Sequence, residues 1–230
     1  MKTPRTVEDM PIYTDYISAA IMYNFQILPE TLMAGIILLA IVLANPALVG
    51  LAAGAAGTQL LTNAVGLLIM KFGGIDEASL TSSTDMCNTG FIGRSWDRLL
   101  RGPNAPERLW NPSAPSVYTA TIGYFYGVGL ALLQLYKEEI DAQVMSRASL
   151  VSTTLIATLI VIAAILFRIW SGCDSILVAI AGLLFGFVIG YLGYIVAGYS
   201  TGRRATNLWG IPLLKDRINN GSPLYVCPTD

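Results

Sequence analysis

An all-α, polytopic transmembrane helical bundle is what this sequence predicts, with about five spans and an N-terminal interfacial helix. Three observations carry that expectation. Of the 230 residues, 54% are hydrophobic and only 13% are charged, whereas a soluble domain carries about 25% charge because its surface must face water. The apolar residues gather into runs near the ~20 residues that cross a hydrocarbon core of ~30 Å. No Asp, Glu, Lys or Arg falls inside the five apolar cores, and the mean hydropathy is +0.59.

Residues 1–30 form the N-terminal interfacial segment. Pro4, Pro11 and Pro29 interrupt it, and Tyr13, Asp15, Tyr16 and Tyr23 suit headgroup depth better than a span. A packed amphipathic helix of the protein itself is the alternative. Mixed charge in the first ten residues, with no compact apolar core before a small-residue cleavage site, does not fit a cleaved signal.

Residues 31–71 read as the first transmembrane hairpin, because Thr31 to Met70 holds no charge and is too long for one crossing. The expected helices run from Thr31 to Leu51, kinked at Pro46, and from Thr58 to Met70. The turn is placed in the glycine- and alanine-rich GLAAGAAG, and Gly50 and Gly54 give small-xxx-small spacing for close helix approach.

Residues 72–115 are a polar loop rich in Arg, Pro and Trp, too long to be structureless in a compact bundle. Trp96, Leu99, Leu100 and Trp110 predict an ordered loop with a short interfacial helix around Ser95–Leu100. Its most distinctive part, 94–116, holds Arg94, Arg98, Arg101 and Arg108, two tryptophans and four prolines.

A three-span core occupies 116–198, with helices expected over Val117–Tyr136, Leu150–Phe167 and Ile176–Gly198. Gly123 and Gly127 in the first of these, and Gly182, Gly186 and Gly190 in the last, repeat every four residues and predict smooth stripes for close packing. RIWSGCDS reads as a tight turn between the last two. A polar tail, 199–230, begins with Arg203-Arg204 close behind the span. If all five helices cross, the N-terminus, the 72–115 loop and the 168–174 turn share one face, and the 137–148 link and the tail share the other. Lys137, Arg147, Arg203 and Arg204 flank spans on the tail side, which favours a cytosolic tail. The arginine-rich loop pulls the other way.

Composition also bounds the chemistry. The chain contains no histidine, which excludes His-based acid–base catalysis, a Ser-His-Asp triad, phosphohistidine and His-ligated metal or haem. No cofactor is expected. A net charge of -1 without a basic stripe gives no pull toward nucleic acid. Ion-coupled transporters place ionisable groups at mid-membrane depth, and these cores have none. Asn45, Gln59 and Asn63 read as interhelical hydrogen-bonding glue rather than a conduction path. Three cysteines, an odd number without a C-x-x-C pair, argue against a disulfide framework and leave Cys173 as a packed thiol. Trp96 and Trp110 read as interfacial anchors, and Arg98 and Arg108 as partners of headgroup phosphates or of Asp97 and Glu107.

One set of residues looks arranged for phosphate. Arg94 and Arg101 are seven apart with Pro103 beyond, Pro112-Ser113 opens a span, and Arg168 precedes Gly172 by four and Asp174 by six. Guanidinium forks and helix N-termini both donate to phosphate oxygens. Over about residues 90–198 the pattern resembles the type-2 phosphatidic acid phosphatase membrane family, whose signature is K-x6-R-P, then P-S-G-H, then S-R-x5-H-x3-D. Arg94 and Arg101 match the first element with Arg for Lys and Gly102 inserted before Pro103. Pro112-Ser113-Ala114-Pro115 matches the second with proline in place of the acid histidine. Arg168 matches the arginine of the third, after Phe167 in place of serine. Asp174 stands at the nucleophilic histidine and Val178 at its supporting aspartate. The resemblance implies a phosphatase-like bundle whose phosphate-site scaffold, Arg94, Arg101, Ser113, Arg168 and Asp174, is kept for phosphate or headgroup binding. Catalysis in that family needs both histidines, so no enzyme activity is expected.

The phrase SWDRLLRG with the LW, P and APSVY that follow is similar to uncharacterised membrane proteins of large DNA viruses, which implies a place in a virion internal membrane. The expected function is a non-catalytic integral membrane protein with a structural or assembly role. Its partners are membrane lipids and proteins of a larger assembly, contacted through the arginine-rich loop. A lipid- or phosphate-binding module, a residual lipid phosphate phosphatase and an accessory subunit of a cellular membrane complex are the alternatives.

Overall fold

The computed structural model describes residues 20, 23–25, 27–73, 115–137, 140, 147–202, 206–208, 218–219 and 222–223. Among these the protein is helical, in five long helices: α1 Leu28–Leu43, α2 Pro46–Gly73, α3 Val117–Leu135, α4 Arg147–Trp170 and α5 Ile176–Ser200. A two-residue antiparallel ladder, β1 Ile218–Asn219 with β2 Ser222–Pro223, is the only sheet among the described residues.

Three of these helices are long and apolar enough to cross a membrane: 24 residues of α2, 21 of α4 and all 25 of α5. At 1.5 Å per residue they reach about 36, 32 and 38 Å, against a hydrocarbon core of ~30 Å. These helices mark the chain as a membrane protein. Only 11% of the apolar window of α4 and 22% of those of α2 and α5 are buried, so most of that surface faces outward. On α5 the division is sharp. Gly182, Gly186 and Gly190 are buried, while Ile180, Leu184, Val188, Leu192 and Val196 point away. In water such a helix would be inside out; in lipid it is correctly oriented, since small residues let backbones meet and large ones meet acyl chains.

α3 sits at the centre. Its buried residues lie all round the helix and include Tyr118, Thr119, Gly123, Gly127, Ala131 and Leu135, and it touches all four other helices. Its closest partner is α5. Both glycine stripes meet there. A Cβ on Gly127 would lie 2.5 Å from the Phe187 carbonyl oxygen, and Cβ atoms on Gly123, Gly186 and Gly190 would run into the backbones of Leu183, Ala120 and Tyr124. The expected close packing of 123/127 against 182/186/190 is what forms.

The hairpin of α1 and α2 departs from expectation. The turn is not in GLAAGAAG, which is helical throughout, but at Ala44-Asn45. Ala44 takes the left-handed conformation (φ 48°), Asn45 Oδ1 accepts the Ala47 N–H at 2.9 Å, and Pro46 occupies the first helical position. An Asn N-cap followed by Pro at N1 is a helix start, so Pro46 opens a helix rather than kinking one. The first helix therefore ends at Leu43, not Leu51. Gly50 has open space around it, and Gly54 receives the Tyr124 side chain rather than another backbone; the small-xxx-small pair is not a helix-crossing point.

Cross-element bonds define the two ends of the bundle. At one end Ser116, before α3, touches the α4–α5 turn, and the Tyr118 hydroxyl donates to the Phe25 carbonyl. At the other, Asn45 Nδ2 donates to the carbonyls of Asn207 and Leu208 at 3.4 and 3.3 Å, and Tyr136 bonds to Thr206 at 3.1 Å. Gln59 Nε2 reaches Thr121 Oγ1 at 3.3 Å between α2 and α3. The buried Thr58 and Thr62 hydroxyls donate to their own helix, at Gly54 and Thr58, which satisfies them without a partner helix.

Candidate functional site

The tight turn after α4 builds the polar cluster at the Ser116 end. α4 ends at Trp170, and Gly172 adopts φ +70°. The Cys173 N–H donates to the Arg168 carbonyl at 3.0 Å and the Gly172 N–H to that of Ile169 at 3.1 Å. This is the Schellman pattern, which glycine permits because it has no Cβ to clash in the left-handed region. The reversal folds the chain back by one turn, so Asp174, six residues on, meets the Arg168 side chain. Ser175 then caps α5 by accepting from the Val178 N–H.

The resulting contact is a two-point ion pair. Arg168 Nε donates to Asp174 Oδ2 at 2.8 Å and Nη2 to Oδ1 at 3.3 Å. The two side chains are only 7% and 2% exposed. Ser116 Oγ donates to the same Asp174 Oδ2 at 2.7 Å, and its oxygen also caps α3 by accepting from Thr119. The Arg168 guanidinium lies 4.8 Å over the Tyr118 ring, a cation–π contact that shields its second face. Phe25 stacks on Phe167 at 5.8 Å to close one side. α3, α4 and the α4–α5 turn are thus tied at one point.

Of the proposed phosphate-site residues, Arg168 and Asp174 come together, but as each other's partners. An arginine that already grips a carboxylate through Nε and Nη2 does not present that fork to a phosphate. Arg94, Arg101 and Ser113 lie outside the described residues, as do Arg98, Arg108, Trp96 and Trp110, nearly all of the 72–115 loop, most of 1–30 and most of the tail. The serine that enters the cluster is Ser116, which was not singled out. Its signal was present: a serine directly before an apolar run is an N-cap. Tyr118, two residues on, was also missed, and nothing local marks it.

Cys173 corrects the cysteine expectation. It is disulfide-bonded, not a packed thiol, and Ser171 Oγ donates to its sulfur at 3.2 Å.

Fold and site together define a helical membrane bundle pinned at one end by a buried Arg–Asp–Ser cluster and along its centre by a glycine seam. No family model, curated protein or solved structure matches this chain.

Proposed function

We propose that the chain is a multi-pass integral membrane protein in which all five helices cross, and that it serves as a non-catalytic structural component of a larger membrane assembly. The observation that carries this is the closure of the Arg168–Asp174–Ser116 cluster. The groups that a degenerate phosphatase-like core would use on a phosphate are here directed at one another, and they join three helical elements. The absence of histidine leaves no residue for the family's phosphoenzyme chemistry.

Support for five crossings comes from the alternation of helix direction and from the surface. Exposed Leu, Ile and Val cover the outer faces of α1, α2, α4 and α5, and Tyr23, Phe72, Trp170 and Tyr199 stand exposed near helix ends, where aromatic rings mark the two interfaces. α1 is 16 residues long, about 24 Å, and crosses with the help of the helical residues 23–25 before it. α3 crosses inside the bundle, shielded from lipid. The arginine-rich 94–116 stretch is the docking element of this reading, for acidic partner surfaces or anionic headgroups. A virion internal membrane is the assembly to which the sequence resemblance points.

Mild detergent extraction followed by density-gradient separation tests the role. The protein is expected to co-migrate with a large assembly at fixed stoichiometry; migration as a free monomer contradicts it.

A further inference from the structure

The disulfide at Cys173 fixes which way the bundle faces. Only two other cysteines exist in the chain, Cys87 and Cys227, and both lie outside the described residues. The bundle discriminates between them. Asp174, next to Cys173, is bonded at 2.7 Å to Ser116, the residue from which α3 starts. Cys87 lies in the segment that leads from α2 directly into that start. Cys227 instead follows α5, whose 25 residues carry the chain about 38 Å to the far end. Asn207 and Leu208 are held at that far end by Asn45, so a bond from Cys227 to Cys173 would require the tail to recross the membrane.

We propose that Cys173 is paired with Cys87, and that the end of the bundle holding Arg168, Asp174 and Ser116 faces an oxidising compartment. The inference rests on the multi-pass reading above, since only crossing helices separate the two ends. Bond formation removes two thiol protons and two electrons. A disulfide-bearing oxidant of the thiol–disulfide exchange class accepts them, its own S–S bond opening to two thiols through a mixed disulfide. Such bonds persist in extracellular, lumenal and periplasmic space and are rare where glutathione and thioredoxin keep thiols reduced. The orientation agrees with an independent signal. Lys137, Arg147, Arg203 and Arg204 then all flank the opposite, reducing side, as the positive-inside bias requires. The arginine-rich stretch lies on the oxidising side, so its partners are expected there.

The test uses the full chain in intact cells, with free thiols blocked by N-ethylmaleimide before lysis and a non-reducing digest read by mass spectrometry. The expected result is a Cys87–Cys173 linked peptide with Cys227 alkylated. A Cys173–Cys227 link, a link between two chains, or alkylated Cys173 overturns the pairing. A membrane-impermeant maleimide supplies the second arm: in sealed right-side-out vesicles Cys227 is expected to stay unlabelled until the vesicles are opened. Labelling of Cys227 from outside, with the Cys87–Cys173 link intact, overturns the orientation and the crossing of α5 together. Loss of the link with Cys227 still protected overturns the pairing and leaves the multi-pass reading standing.

Discussion

The α3–α5 seam and the Arg168–Asp174 cluster hold the same bundle by opposite means. The seam has no charge and little side chain; five glycines let two backbones approach until any Cβ on them would collide. The cluster is all side chain, a buried ion pair with a serine and a tyrosine fitted around it. In lipid, apolar contact alone does not drive helices together, because acyl chains are as apolar as leucine. The difference shows two remaining ways to specify a neighbour: shape, which acts along the whole length of a helix, and a satisfied polar contact, which acts at one point.

The comparison can be broken most severely at the seam. Gly186→Leu drives a branched side chain into the Ala120 backbone, and overpacking of this kind costs about 1–3 kcal/mol even where side chains can yield; here backbone must move. We expect no monodisperse protein after detergent extraction, while Gly193→Leu, with nothing within 4 Å, behaves as wild type. Next comes the cluster. Asp174→Ala strands the buried Arg168 and is expected to cost about 3–5 kcal/mol, read as a lowered midpoint in SDS unfolding. Ser116→Ala removes a cap and one bond to Asp174 and should cost about 1 kcal/mol by the same measurement. The smallest effect is expected between the two regions: Gln59→Leu breaks one interhelical bond to Thr121, worth about 0.6 kcal/mol.

The two regions also differ in how legible they were. The glycine stripes could be read directly, because a period of four on a helix is a spatial statement. The cluster could not, since the meeting of Arg168 with Asp174 depends on a left-handed Gly172 that folds six residues into contact. Spacing suggested a shared ligand where the backbone reversal made a pair. Ser116 was passed over for Ser113 because Pro112-Ser113 fitted a remembered motif, although the N-cap position before VYTATIG is chemically the stronger signal.

The hairpin illustrates tertiary override. GLAAGAAG has the composition of a turn, yet it stays helical where Ala55 is fully buried and Gly54 receives Tyr124. Packing outweighs the ~1 kcal/mol per glycine that favours unwinding. The Asn45-Pro46 pair, read as a kink, carried the true helix start.

The central claim is that Arg168 and Asp174 form a structural lock rather than a ligand site, and a double-mutant cycle tests it most directly. SDS-unfolding stability and binding to phosphatidic acid vesicles would be measured for Arg168→Met, Asp174→Leu and the double variant. The account predicts that each single variant loses about 3–5 kcal/mol and that the double variant recovers much of it, as replacement of buried ion pairs by apolar residues commonly does, with vesicle binding unchanged throughout. Single variants of unaltered stability that lose vesicle binding would contradict it.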